Sequence, residues 1–255
     1  MHLRSNLFIY CCFVCLVLFS NSALIASIVG LDNASATAYD DGWTSGDNGS
    51  ILGSPFTGWT LNSNGFDSGF FIGDSTGLAS PGADINSAGE SFGLFGHSGQ
   101  TATATRSFNG GGLLLGQMFS IDIAVNFRNG NKGINLDDAS GNQLFNFNVG
   151  GDDYTAQGSS IGDAFGQDTS FNLKFTQTSA AGGTWQVSRF GEVLDFDTGT
   201  YSGIAGGFEL YVSGTENGGP QNNFFANNIS IVPEPTTLAT FGIALAALVR
   251  RRRRV

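Results

Sequence analysis

The sequence predicts an all-β protein, an antiparallel β-sandwich of jelly-roll or concanavalin-like type. Three observations point there. Between residues 30 and 231 no long window keeps a 3.6-residue apolar period, whereas short alternating or apolar runs recur between clusters of Gly, Asn and Asp. The connections draw on 38 glycines and only five prolines, and Gly and Asn accept the positive φ that hairpin turns require. The main bulky apolar residue is phenylalanine, 23 in all, a side chain that fits a pleated, half-buried surface.

Strands are predicted at residues 102–108, 117–127, 133–138, 143–149, 170–177, 184–189, 192–196, 208–212 and 224–231. In FSIDIAVNF, Phe119, Ile121, Ile123, Val125 and Phe127 alternate onto one face. In FNLKF, Phe171, Leu173 and Phe175 do the same and leave Asn172 and Lys174 on the wet face. The stretches from Asp138 to Gly141 and from Arg189 to Glu192 read as hairpin connections, which make antiparallel neighbours. So many strands must curl or split into two packed layers. A β-helix is the competing architecture, but no fixed repeat period supports it. Residues 31–101 are richer in Gly, Ser and Asp; GFFIG and SFGLFG read there as strands flanked by glycine, within the same domain and among long loops.

Charge is segregated along the chain. Arg4 lies near the start, and Arg250, Arg251, Arg252, Arg253 and Arg254 form one block. The body therefore holds only Arg106, Arg128, Lys132, Lys174 and Arg189 against 20 of the 21 acidic residues. Such a surface repels phosphate backbones, so nucleic acid is excluded as a partner class.

Residues 1–27 have the layout of a secretory signal peptide: a positive start at Arg4, an apolar run from Leu7 to Phe19, then small polar residues with cleavage expected between Ser22 and Ser27. The three cysteines, Cys11, Cys12 and Cys15, all fall inside that run. The exported domain, residues 28–231, would then contain no disulfide and would depend on its core and its backbone ladders.

Residues 232–255 read VPEPTTLATFGIALAALVRRRRRV. Prolines on both sides of Glu234 fix two φ angles and remove two N–H donors, which keeps the peptide extended. The apolar stretch 236–249 spans roughly 21 Å as a helix, short of a full hydrocarbon span. The arginine block that follows opposes translocation and is expected to stay cytoplasmic while the body lies outside. The order Val232-Pro233-Glu234-Pro235, short apolar helix, arginine cluster resembles the PEP-CTERM sorting signal of Gram-negative and related bacteria. That resemblance implies export by the secretion machinery, transient anchoring in the inner membrane and recognition by an exosortase-type processing enzyme. It also implies delivery to the cell surface or an exopolysaccharide matrix, where the role would be structural or adhesive.

Within the body, no catalytic constellation stands out, and a non-enzymatic protein is expected. A Ser-His-Asp triad would depend on His97 of FGHSG alone. Glu192, Asp195 and Asp197 are the carboxylates that a glycoside hydrolase would need, with Asp195 and Asp197 on one strand face and Glu192 opposite. Their order departs from the laminarinase-type Glu-x-Asp-x-x-Glu. Acidic turns at Asp137, Asp138, Asp152, Asp153, Asp163 and Asp168 offer oxygen ligands for a structural Ca²⁺ ion, without an EF-hand order and without an assignable ligand set; no other cofactor is expected. For a carbohydrate-binding module, Trp43 and Trp59 are the candidate glycan-stacking rings, because their surroundings look like loops. Trp185, Tyr154, Tyr201 and Tyr211 are further flat rings, and packing in the core is the commoner fate of each.

Overall fold

The computed structural model of the chain describes residues 30–233, apart from 52, 54, 78–83, 126–128, 152, 163–167, 192–194 and 217–221. These residues lie in one compact unit, Ile28–Glu234. The expected signal peptide and C-terminal apolar helix lie outside the described residues.

Fifteen strands follow one another in the described residues: β1 (Gly30–Asp32), β2 (Thr60–Ser63), β3 (Ser68–Gly73), β4 (Ser91–Gly96), β5 (Thr101–Ser107), β6 (Gln117–Val125), β7 (Asn131–Asp137), β8 (Gln143–Asn148), β9 (Thr155–Ala156), β10 (Ser159–Ser160), β11 (Asp168–Ser179), β12 (Gly182–Gly191), β13 (Asp195–Ser202), β14 (Gly207–Ser213) and β15 (Phe224–Pro233). They form two antiparallel sheets. One has the order β13-β12-β11-β6-β15-β4-β3, with β1 also pairing with β15; the other has the order β10-β9-β8-β7-β14-β5-β2. β1 and β4 share one edge of β15 end to end, while β6 lies along its other edge.

The alternation predicted for the long strands is present. Phe119, Ile121, Ile123 and Val125 of β6 are buried, as are Phe171, Leu173 and Phe175 of β11, while Asn172 and Lys174 face outward; Phe127 lies outside the described residues. The two inner faces meet through aromatic rings: Phe119 stacks on Phe208 at 4.9 Å, Phe175 meets Phe145 at 5.1 Å, and Phe171 meets Phe147 at 5.2 Å. Burial of this much ring area is the main stabilising term of the sandwich.

Some boundaries differ from those expected. The strand placed at residues 192–196 runs instead from Asp195 to Ser202, because β12 opposes it through Gly182 to Arg189 and supplies ladder partners for the polar DTGTYS segment. β15 continues through Val232 and Pro233, opposite Met118 and Gln117 of β6, so the sheet takes in the first two residues of the tail motif. Near its middle β15 is bulged, with Asn228 at φ 53°, a conformation Asn tolerates better than most residues. The bulge aims Asn227 into the protein: its Oδ1 accepts from Ala34 N (3.0 Å) and its Nδ2 donates to the carbonyls of Ile85 (3.0 Å) and Glu90 (2.9 Å). Those bonds pin the segment around residues 84–90 over Ala124 and Phe225, which form a small second core with Ile85.

Candidate functional site

The outer face of the seven-stranded sheet carries a continuous polar row. Asn146 of β8 lies opposite Asn135 of β7, Asn135 opposite Glu209 of β14, Glu209 opposite Thr105 of β5, and Thr105 opposite Thr60 of β2. Period-two alternation builds the row: in GFELYVS the residues Phe208, Leu210 and Val212 go inward, which turns Glu209 and Tyr211 outward. At about 4.8 Å per strand the row is roughly 19 Å long.

Its members are bonded to one another. Asn146 Nδ2 donates to Asn135 Oδ1 (2.8 Å) and to the Tyr211 hydroxyl (2.9 Å). Asn135 Nδ2 donates to Glu209 Oε1 (3.2 Å), and the Thr105 hydroxyl donates to Glu209 Oε2 (3.4 Å). The Tyr211 phenol lies down across the sheet because residue 133 is glycine: a Cβ there would sit 2.7 Å from the Tyr211 hydroxyl and 1.9 Å from the Phe147 carbonyl oxygen. Burial pushes the Tyr211 phenol up to about 12, so it stays protonated and can donate. Two residues along β7 from Asn135, Asp137 is pushed up to about 6, first by burial and then by the charges of Glu209 and Asp138. A surface of fixed amides, hydroxyls, one carboxylate and one flat ring can present many hydrogen bonds to a polyhydroxylated ligand and a face to stack on.

The candidate rings named from sequence are not at this face. Trp59 is 1% and Trp43 5% exposed; they meet edge to face at 5.0 Å, and both pack on Phe92. Neither plane is offered to solvent, which corrects the stacking role expected of them. The loop-like sequence around them folds back on the sandwich and uses both rings as core. Trp185, Tyr154 and Tyr201 are also buried, so Tyr211 alone of the six rings named from sequence lies partly open.

The expected alternatives are not brought together. Asp195 opens β13 opposite Arg189 of β12 in the backbone register, and Asp197 Oδ2 lies 3.7 Å from Arg189 Nη2, an ion pair at the sheet edge; Glu192 lies outside the described residues. His97 is held by a backbone bond from its N–H to the Asp67 carbonyl (2.8 Å) and packs beside Phe95 (5.6 Å). Its Nε2 has no hydrogen-bond partner among the described residues, so no triad forms there. Among the described residues no group of three or more His, Cys, Asp or Glu is placed to hold a metal. Asp138 instead closes its own turn, accepting from Ser140 N (2.8 Å) and from Asn142 N and Nδ2 (2.9 Å each), and these bonds hold its carboxyl below the usual range. Asp152 and Asp163 lie outside the described residues.

Of the motif from Val232 to Pro235, Val232 and Pro233 end β15, while Glu234, Pro235 and the arginines Arg250 to Arg254 lie outside the described residues. Among the described residues no helix is long and apolar enough to cross a membrane.

Residues 232–254 match the model of the PEP-CTERM protein-sorting motif. No curated protein matches the sequence. Among solved structures, a sialidase overlaps 68% of this chain at 10% identity and a TM-score of 0.41; the chain spans 16% of that protein. The K3 cleaved adhesin domain of Lys-gingipain from Porphyromonas gingivalis overlaps 81% of this chain and 98% of its own length, at 10% identity and a TM-score of 0.37. A structure of botulinum neurotoxin type C overlaps 90% of this chain and 53% of its own length, at 12% identity and a TM-score of 0.42. The chain is therefore a two-sheet β protein carrying a PEP-CTERM protein-sorting motif, the mark of export and of sorting to the cell surface by an exosortase-type enzyme.

Proposed function

We propose that the exported body is a non-catalytic, structural or adhesive protein of the cell surface that holds an exopolysaccharide on the outer face of its seven-stranded sheet. The observation that carries this reading is the row Asn146, Asn135, Glu209 and Thr105 with Tyr211 beside it, pre-bonded and spread over four adjacent strands. Fixed side chains lose little freedom on binding, so a shallow polar face of this kind can hold a repeating chain of sugar units through many weak bonds. Anchoring is transient in this scheme: the short apolar stretch 236–249 and its arginines hold the chain in the inner membrane until the exosortase acts.

A non-catalytic role accords with Asp197 facing Arg189. The test is retention of the protein on columns of exopolysaccharide from a producing bacterium, with Tyr211→Ala and Asn135→Ala beside the parent. Retention that weakens in both variants, without release of reducing sugar, supports the proposal. Equal retention of parent and variants, or turnover of the polysaccharide, overturns it.

A further inference from the structure

Both export segments join the sandwich at one end, because the chain enters at Gly30, opposite Ile231, and β15 leaves through Pro233, opposite Gln117. The loops gathered at this end are residues 49–51, 53, 55–57, 108–116, 138–142, 179–181 and 203–206. Their sequences contain a single charged residue, Asp138. The loops at the opposite end carry Asp67, Asp153 and Glu216.

The tail end also displays apolar side chains. Of the six exposed large hydrophobic residues among those described, four, Ile51, Leu114, Leu115 and Ile204, project here, and Leu114 and Leu115 are 68% and 72% exposed. The turn that bears the two leucines is firmly built. Leu113 is buried and its N–H bonds to the Ala205 carbonyl (2.8 Å), Gly116 N bonds to the Gln177 carbonyl (2.8 Å), and Gln117 closes the turn through Gln117 N to Leu114 O (2.9 Å) and Leu114 N to Gln117 Oε1 (2.8 Å). Beside it opens a cleft of about 430 Å³ lined by Pro55, Phe108, Leu114, Gln117 and Ile231. Leucines at the tip of a rigid turn contribute nothing to the fold that Asn or Ser would not, so their burial lies elsewhere.

We propose that this end is a lipid-docking face: while the tail holds the chain in the membrane, Leu114 and Leu115 insert into the interfacial layer of that same bilayer. The inference rests on the reading of residues 236–249 as a membrane segment. Two residues, Glu234 and Pro235, separate Pro233 from Thr236, and the three Cα–Cα steps span at most about 11 Å of extended chain, so any bilayer that takes up the apolar stretch is brought against the turn that precedes Gln117. A nearly uncharged, leucine-tipped surface suits the boundary between headgroups and acyl chains. The acidic opposite end is directed away from the membrane. In this arrangement the docked face fixes the orientation in which the motif is presented for processing.

The test uses the full chain reconstituted in phosphatidylcholine vesicles whose acyl chains are brominated near the headgroup. The parent gives a background emission that the bromines do not reach, because Trp43, Trp59 and Trp185 are all buried in the core. The variant Leu115→Trp is expected to lose emission to the brominated lipid, whereas Phe66→Trp, at an exposed site on the opposite end, keeps it. Vesicle flotation of the same samples separates the two readings. Protein that floats while Leu115→Trp and Phe66→Trp remain equally bright overturns the docking face alone. Protein that does not float overturns the membrane reading of the tail, and the docking face with it.

Discussion

Arg106 of β5 and Asp32 of β1 form an ion pair in which neither side chain has any exposure to solvent, and the pair ties the two sheets together because each residue belongs to a different one. The guanidinium also donates from Nε to the Thr57 carbonyl (2.7 Å) and from Nη2 to Asn48, and it lies over the rings of Phe56 and Trp59 at 4.8 and 4.9 Å. Asp32 Oδ2 further accepts from the Tyr39 hydroxyl (2.7 Å), which in turn accepts from Trp59 Nε1 (3.0 Å). Removing one partner leaves an uncompensated charge in the core, so Asp32→Ala or Arg106→Ala should each cost about 3–5 kcal/mol in urea unfolding. The pair Asp32→Leu with Arg106→Met should cost clearly less than the sum of the single changes. Additive losses would show that the two groups act independently.

The same network leaves no room at Gly49. A Cβ there would stand 2.4 Å from Tyr39 Cε2, 2.6 Å from Asp32 Oδ1 and 2.8 Å from the Ala36 Cβ. Gly49→Ala should therefore destabilise by about 1–3 kcal/mol, although alanine stiffens the unfolded chain and would stabilise an unhindered site. A thermal melt at or above the parent's would mean that the network yields.

The sequence announces β6 and β11 because their apolar residues alternate with polar ones over whole strands, and a period of two survives without knowledge of the partner. It conceals β1 and β2, short runs whose pairing is supplied by residues far along the chain: Leu31 opposes Ser230 and Leu61 opposes Ala104. Arg106 shows two rules in conflict. In TATATRS the alanines go inward, and so by parity does the arginine, against the expectation that a charge faces water. Lys132, by the same parity on β7, is fully buried and is pushed down to about 7. The polar row was half legible, since alternation in β14 exposes Glu209 and Tyr211. Setting them beside Asn135 and Asn146 required the register between strands more than 60 residues apart in sequence. Trp43 and Trp59 misled for the opposite reason, because Gly, Asp and Ser neighbours signal a loop but do not say where the loop packs.

Asp137 makes the fold sensitive to acid in an unusual direction. Its folded value of about 6 lies above the ordinary aspartate value of 3.8, so between those values the folded chain binds more protons than the unfolded one, and this group's contribution to stability falls as pH rises. Asp137→Asn should then melt higher than the parent at pH 7, by about 2–4 °C for each kcal/mol regained. The advantage should shrink as pH is lowered through 6 and vanish near the ordinary carboxylate range. A constant difference at all pH values would assign the effect to packing rather than to charge.

Where the tail is cut follows from where β15 ends. Val232 and Pro233 lie in the ladder opposite Met118 and Gln117, and a processing enzyme needs an extended peptide that is free of its neighbours. Cutting before Val232 would require the end of β15 to peel from β6, breaking backbone bonds beside the buried Ile231. A cut after Pro233 leaves the described pairs of the ladder intact. The mature C-terminus should therefore retain Val232 and Pro233, and intact-mass measurement of the protein released from a producing cell would read this directly. A staple across the ladder, Gln117→Cys with Pro233→Cys, should leave the rate of processing unchanged when the disulfide is formed. A mature end upstream of Val232, or a stapled chain that accumulates uncut, would show that the strand end must open before the enzyme can act.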